Sequence, residues 1–220
     1  MGHQRESLVE EFLIRQYSAG DRPQVREIAW QTAFMGKPAD SFFTGKEFLQ
    51  DALTAYFTDC EPESCFVAES GGKVRGYLLG TIDTRRMDRE FAGKVMPGLV
   101  RSFFLRGIGF RAKNARLLLN VAASFFKGEF RDEHFPGYPA TFHINMMEGY
   151  REGGAGSALV DAFISYLRRK ETAGLILCTM SGAGGFFEKK GFTLLADNPR
   201  SYFSHITGGA VRARIYGMKL

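Results

Sequence analysis

Residues 140–147, ATFHINMM, run into a glycine-rich turn, YREGGAGS, which opens a helix whose Leu159, Val160, Phe163, Ile164 and Leu167 recur on one side. This strand, turn and helix unit limits the fold more than any other part of the chain. Side chains alternate along a strand, so Phe142 and Ile144 face one way and His143 and Asn145 the other. The first amides of the helix lack intrahelical acceptors and can bind anionic oxygens. Gly153, Gly154 and Gly156 would let a ligand approach the backbone closely, and Arg151 adds positive charge beside them. A tight packing turn with no ligand is the other reading. Two familiar phosphate patterns are missing: GxxxxGK[ST], and a GxGxxG after an early strand with an acid at the required distance.

The flanking segments predict a mixed sheet. FLIRQYS, residues 12–18, reads as a first strand. Asp21 with Gln24, and Thr44 with Glu47, have the spacing of capping boxes for two helices with apolar faces. CFVAES (65–70) and KVRGYLLGTI (73–82) alternate like strands, and Gly71–Gly72 between them suits a tight antiparallel hairpin. Further strands are expected at 175–179, 192–196 and 213–220, with a short helix ended by Gly191. The stretch 84–139 predicts two helices, about 88–107 and 111–127, with Pro97 and Gly98 interrupting the first. Its Leu, Val and Phe content is read as core packing or a homodimer contact, ahead of a membrane surface.

Composition narrows the class of function. The chain has 220 residues, 45% hydrophobic and 24% charged, with 21 Phe and a formal charge of +5. The basic residues show no finger spacing, aromatic-basic repeat or basic tail, so no nucleic-acid partner is expected. Cys60, Cys65 and Cys178 form no CxxC pair and the four His are dispersed, so no metal site is expected. The first residues lack a signal-peptide pattern, and charges interrupt every long apolar stretch. The expectation is a cytoplasmic chain with no membrane partner, folded as one domain over 8–220 with 84–139 inserted.

Arg151-Glu152-Gly153-Gly154-Ala155-Gly156 resembles the Arg/Gln-x-x-Gly-x-Gly/Ala turn of the Gcn5-related N-acetyltransferase superfamily. Phe187-Glu188-Lys189-Lys190-Gly191-Phe192, about 36 residues further on, resembles that family's late Tyr-Glu-Lys-x-Gly-Phe segment. The order of elements agrees over 12–82 and 140–220. The resemblance implies an α/β fold with a mostly antiparallel central sheet flanked by helices. It also implies transfer of an acyl group, usually acetyl, from acetyl-CoA or another acyl-CoA to an amine of a small molecule or peptide.

By the same resemblance the donor's pyrophosphate would lie on the amides of Arg151, Glu152, Gly153, Gly154, Ala155, Gly156 and Ser157. Its pantetheine arm would bond the backbone near Met146 and Met147, where the long strand splays from 175–179. His143 and Glu69 are candidate bases, with Asn145 orienting substrate or water. The alternative for His143 and Asn145 is a hydrogen-bonded structural role. Phe34, Phe42, Phe43 and Tyr138 are candidates for an acceptor pocket, and Asp40 and Glu69 for anchoring a cationic amine; core or surface roles remain open for each. Cys178 is read as core, so no acyl-enzyme is expected. The family's tyrosine acid is replaced here by Phe187, which cannot donate a proton. A non-catalytic acyl-CoA-binding protein is therefore the competing reading.

Overall fold

A two-residue turn with Gly71 at φ 57° and Gly72 at φ 70° joins β2 (Cys65–Ser70) to β3 (Lys73–Thr81) in an antiparallel hairpin. Positive φ at both positions is what a twisted hairpin of this length requires. The computed structural model describes residues 12–129 and 135–220. Residues 8–11 of the expected domain and 130–134 of the expected insertion lie outside the described residues. Around the hairpin a seven-stranded sheet is ordered β1-β2-β3-β4-β5-β7-β6. Here β1 is Leu13–Gln16, β4 Ala140–Met146, β5 Gly174–Thr179, β6 Thr193–Arg200 and β7 Val211–Lys219. Only β4 and β5 pair parallel; every other neighbouring pair is antiparallel. The last strand enters the sheet between β5 and β6, a long-range pairing no local pattern encodes.

Helices cover both faces. On one side α6 (Ala155–Arg169) buries Leu159, Val160, Phe163, Ile164 and Leu167 against Phe142, Leu175 and Leu177, with the short α7 (Gly184–Lys189) bringing Phe187 into the same core. On the other, α1 (Arg22–Thr32) packs Val25, Ile28 and Ala29 on Val67, Tyr77 and Leu79, and α2 (Lys46–Cys60) lies against α1. Both expected capping boxes fail. Asp21 accepts from the Ser18 N–H at 2.8 Å and pairs with Arg15 at 2.7 Å, while Gln24 Oε1 accepts from the Val74 N–H. Thr44 gives its N–H to Asn114 Oδ1 at 2.8 Å, and Glu47 pairs with Arg106. Asp21 closes a local box with Ser18 instead, while Gln24, Thr44 and Glu47 are taken by partners distant in sequence.

The insertion is helical. It runs from α3 (Thr84–Glu90) through a π-helical turn at Phe91–Val95 into α4 (Met96–Leu105), then by a short turn into α5 (Ala112–Phe126). Pro97 sits in the first turn of α4, directly after the π-helical turn. The segment is anchored through Ile108 and Asn114. Ile108 is buried with Phe42, Phe43 and Phe34, and the Asn114 amide bonds the carbonyls of Thr44 and Ile108. The expectation that its Leu and Phe residues fill a core fails for many of them: Phe104, Phe110, Leu119, Phe125 and Phe126 are all exposed. A last short helix, α8 (Ser204–Thr207), follows β6.

Candidate active site

The site is built by two strands that begin paired and then part. β4 and β5 are in register only at Ala140↔Leu175 and Thr141↔Ile176; beyond that point no pairing joins them. The opening is a cleft of about 370 Å³. Phe142 to Met146 form one wall and Leu177 to Ser181 the other, with Met35 and Gly36 at one end and Phe187 and Gly156 also lining it.

Register shows which backbone groups face this opening. The Met147 N–H donates to the Arg75 carbonyl at 2.8 Å, and Gly76 lies opposite Met146. In an antiparallel ladder hydrogen-bonded and non-hydrogen-bonded pairs alternate. Asn145, His143 and Thr141 therefore bond toward β3, and Phe142, Ile144 and Met146 turn their N–H and C=O groups toward the gap left by β5. The sequence-based choice of Met147 needs correction. Its N–H is taken up by Arg75 and its carbonyl by the Tyr150 N–H. Ile144, which alternation alone placed on a face but not at an open edge, turns its backbone groups to the gap instead.

The glycine turn sits at the mouth of the cleft. Gly154, at φ 78°, precedes α6 and no side chain caps the helix. The first turn's amides at Ala155, Gly156 and Ser157 are thus left for an external acceptor. The three glycines have different reasons. Gly154 holds a left-handed backbone, and a Cβ at Gly153 would lie 2.8 Å from the Phe12 ring. A Cβ at Gly156 would meet only Met146 Cγ at 3.8 Å, an ordinary contact. Protein packing thus explains Gly153 and not Gly156, whose bare Cα lines the cleft. Glu152 is exposed beside them. Arg151 crosses the mouth, donating from Nε to the Met146 carbonyl at 3.3 Å and from Nη2 to the Gly36 carbonyl at 2.5 Å. That carbonyl follows Met35, a non-glycine residue at φ 51°. Backbone of this kind costs about 1–3 kcal/mol and clusters at binding sites.

His143 and Asn145 are brought together as alternation predicts, and Tyr77 joins them. Asn145 Nδ2 donates to the Tyr77 hydroxyl at 2.9 Å and lies 3.1 Å from His143 Nε2, while His143 Nδ1 lies 3.4 Å from the same hydroxyl. Burial holds the imidazole pKa down to about 4, so it is neutral at pH 7. Both ring nitrogens face protein partners, so a proton from substrate reaches His143 only if the Asn145 contact opens. Burial also raises the Tyr77 pKa, keeping the phenol protonated.

Several sequence-based candidates lie elsewhere. Glu69 pairs with Arg15 at 2.8 Å and does not line the cleft. Phe34, Phe42 and Phe43 are buried in one aromatic cluster with Phe203, so they support the 34–45 loop rather than line a pocket. Tyr138 lies under Lys219 at 4.1 Å, and Asp40 is exposed, its carbonyl accepting from Lys113. Cys178 is also corrected: it is exposed and lines the cleft, because the departure of β4 uncovers that face of β5. The surrounding walls of the cleft partly desolvate the accessible thiol and raise its pKa, which disfavours the nucleophilic thiolate. Phe187 is buried among Phe142, Phe192 and Tyr216. The Tyr216 hydroxyl bonds Glu188 and the Tyr202 hydroxyl bonds Met180 Sδ, and neither tyrosine lines the cleft. Hydroxyl-bearing residues that do line it are Thr179 and Ser181, whose hydroxyls are 2.9 Å apart, and Thr32, whose hydroxyl donates to the Ile28 carbonyl. Among the described residues no group of His, Cys, Asp and Glu is placed to hold a metal ion.

No family model and no curated protein matches the chain. Solved structures do. SsHAT superposes with a TM-score of 0.69 at 23% identity, covering 95% of this chain and 98% of that one. A Drosophila melanogaster polyamine N-acetyltransferase that forms N-acetylagmatine gives 0.57 at 14% identity, covering 96% and 100%. Ard1 from Thermoplasma volcanium gives 0.55 at 20%, covering 95% and 97%. With its parted β4–β5 pair and glycine turn before α6, the chain has the fold of the Gcn5-related N-acetyltransferases.

Proposed function

We propose that the chain is an acyl-CoA-dependent N-acyltransferase that moves acetyl from acetyl-CoA directly to a primary amine of a small molecule or peptide. The observation that carries this reading is the open edge of β4 leading to unpaired helix amides at a glycine with no packing reason to be one. An extended amide-bearing arm would complete the edge at Ile144 and Met146, and a pyrophosphate would take the α6 amides, with Arg151 swinging from the Gly36 carbonyl to meet it. Oriented along that edge, the thioester lies against the gap-facing N–H groups of β4, which can polarise its carbonyl.

The amine nitrogen attacks the thioester carbon, the carbon–sulfur bond breaks, and the products are an amide and the CoA thiol. The amine proton leaves to water, or to His143 once Asn145 has turned to the substrate. A pKa near 4 makes His143 a weak base, so orientation carries more of the rate than proton abstraction. With Phe187 unable to donate, the sulfur departs as thiolate or takes a proton from water or the Thr179–Ser181 hydroxyls. Thiol release from acetyl-CoA across a panel of amines tests the reading, with Cys178→Ala alongside. Amine-dependent release should change less than about twofold in Cys178→Ala. Loss of transfer in that variant, with acyl trapped on wild-type Cys178, would overturn the direct route. CoA binding without turnover on any amine would favour the non-catalytic reading that Phe187 motivates.

A further inference from the structure

Helix α5 is more apolar on its outward side than on its inward side. The inward positions are Asn114, Leu117, Val121 and Ser124, of which Asn114 and Ser124 are fully buried. The outward stripe is Leu118, Leu119, Ala122, Phe125 and Phe126, at spacings of one, four, seven and eight residues, with Leu119 72% and Phe126 84% exposed. Lys113, Arg116 and Lys127 lie together on the adjoining edge of the same helix. On α4 the outward residues are Met96, Val100 and Phe104, and Phe110 between the helices is 83% exposed. A soluble helix ordinarily directs its apolar stripe inward, and contiguous exposed patches of this kind mark interaction sites.

Charge identifies the partner. Residues 96–128 contain six of the chain's 29 Arg and Lys and none of its 24 Asp and Glu, leaving the remainder of the chain at −1. The whole positive excess is therefore on this segment. The side chains of Arg101, Arg111 and Arg116 are exposed and make no hydrogen bond or ion pair among the described residues. A symmetric second copy docked here would bring these cations against their own images with no acid in the segment to pair them. An apolar stripe of Phe and Leu bordered by Arg and Lys is instead the arrangement of a helix lying in a bilayer interface.

We infer that α4 and α5 form a peripheral docking surface for an anionic lipid bilayer. Among the described residues no helix is long and apolar enough to cross a membrane, which concerns spanning and not lying at the surface. The inference departs from the sequence-based expectation of no membrane partner. Ile108, Phe103 and Leu117 pack in the same cluster as Met35 and Met180, which line the cleft, so the surface and the cleft share one support.

The test is sedimentation of the full chain with vesicles of phosphatidylcholine alone or with about a third phosphatidylglycerol. The chain should pellet with the anionic vesicles, stay with the supernatant over neutral ones, and be released by salt. The double variant Phe125→Ser, Phe126→Ser should bind about tenfold more weakly with an unchanged thermal midpoint, and Arg101→Gln, Arg111→Gln, Arg116→Gln should do the same. Failure to pellet with anionic vesicles, equal pelleting with neutral ones, or full binding by the folded variants would overturn the inference. A dimer in sedimentation velocity that the phenylalanine variant dissociates, without vesicle binding, would assign the face to a second copy.

Discussion

The β4–α6 unit and the α4–α5 insertion are similarly rich in apolar residues, yet one hides them and the other displays them. In α6 every residue of the apolar stripe is buried against the sheet, and Phe163 is fully enclosed, its ring 2.4 Å from where a Cβ at Gly80 would stand. In α5 the corresponding stripe faces solvent. Helical periodicity shows that a stripe exists in both. It does not show which side the rest of the molecule lies on, because that depends on contacts distant in sequence.

The comparison can be broken at a buried ring first. Phe163→Ala should cost about 3–5 kcal/mol in denaturant unfolding, through lost burial plus a cavity beside Gly80. A cost under 1 kcal/mol would mean α6 is not packed as described. The next effect is on pH. The unfolded chain binds a proton at His143 near its ordinary value of 6.5, whereas the folded chain resists until about 4. The neutral histidine's contribution is therefore fully present above pH 6.5, falls as pH drops toward 4 and levels off below, up to about 3 kcal/mol. His143→Gln should flatten the unfolding free energy across that window, and an unchanged pH profile would refute the assigned burial. The smallest effect is at the displayed stripe. Phe125→Ser with Phe126→Ser should change stability by no more than about 0.5 kcal/mol, and a loss several times larger would place those rings in a core.

The same contrast explains what could be read from the chain alone. The hairpin at Gly71–Gly72, the strand 140–147, the glycine turn and the α6 face were legible because each is local: backbone sign, alternation and periodicity act within ten residues. Alternation also placed His143 beside Asn145, although it could not supply Tyr77, which arrives from β3. Misreadings arose where a distant element intervened. Cys178 looked like core because LILCT is continuously apolar, and the parting of β4 that uncovers it is a tertiary event. Glu69 is held by Arg15 on β1, and the Met147 N–H is fixed by its register against Arg75; neither contact has a local signal in the sequence. The aromatic residues of the 34–45 loop were drawn inward by Phe203 and Ile108, both far along the chain.

The central claim, that this turn and open strand edge hold an acyl-CoA, is tested most directly at Gly156. Adding side-chain atoms there meets no backbone and only Met146 at the first carbon, so Gly156→Val should leave the fold intact by circular dichroism and thermal unfolding. Titration calorimetry with CoA should show one site on the wild-type chain and at least about tenfold weaker binding by the folded variant, because the side chain occupies the ligand's approach to the α6 amides. Absence of CoA binding by the wild-type chain, or undiminished affinity in folded Gly156→Val, would contradict the account.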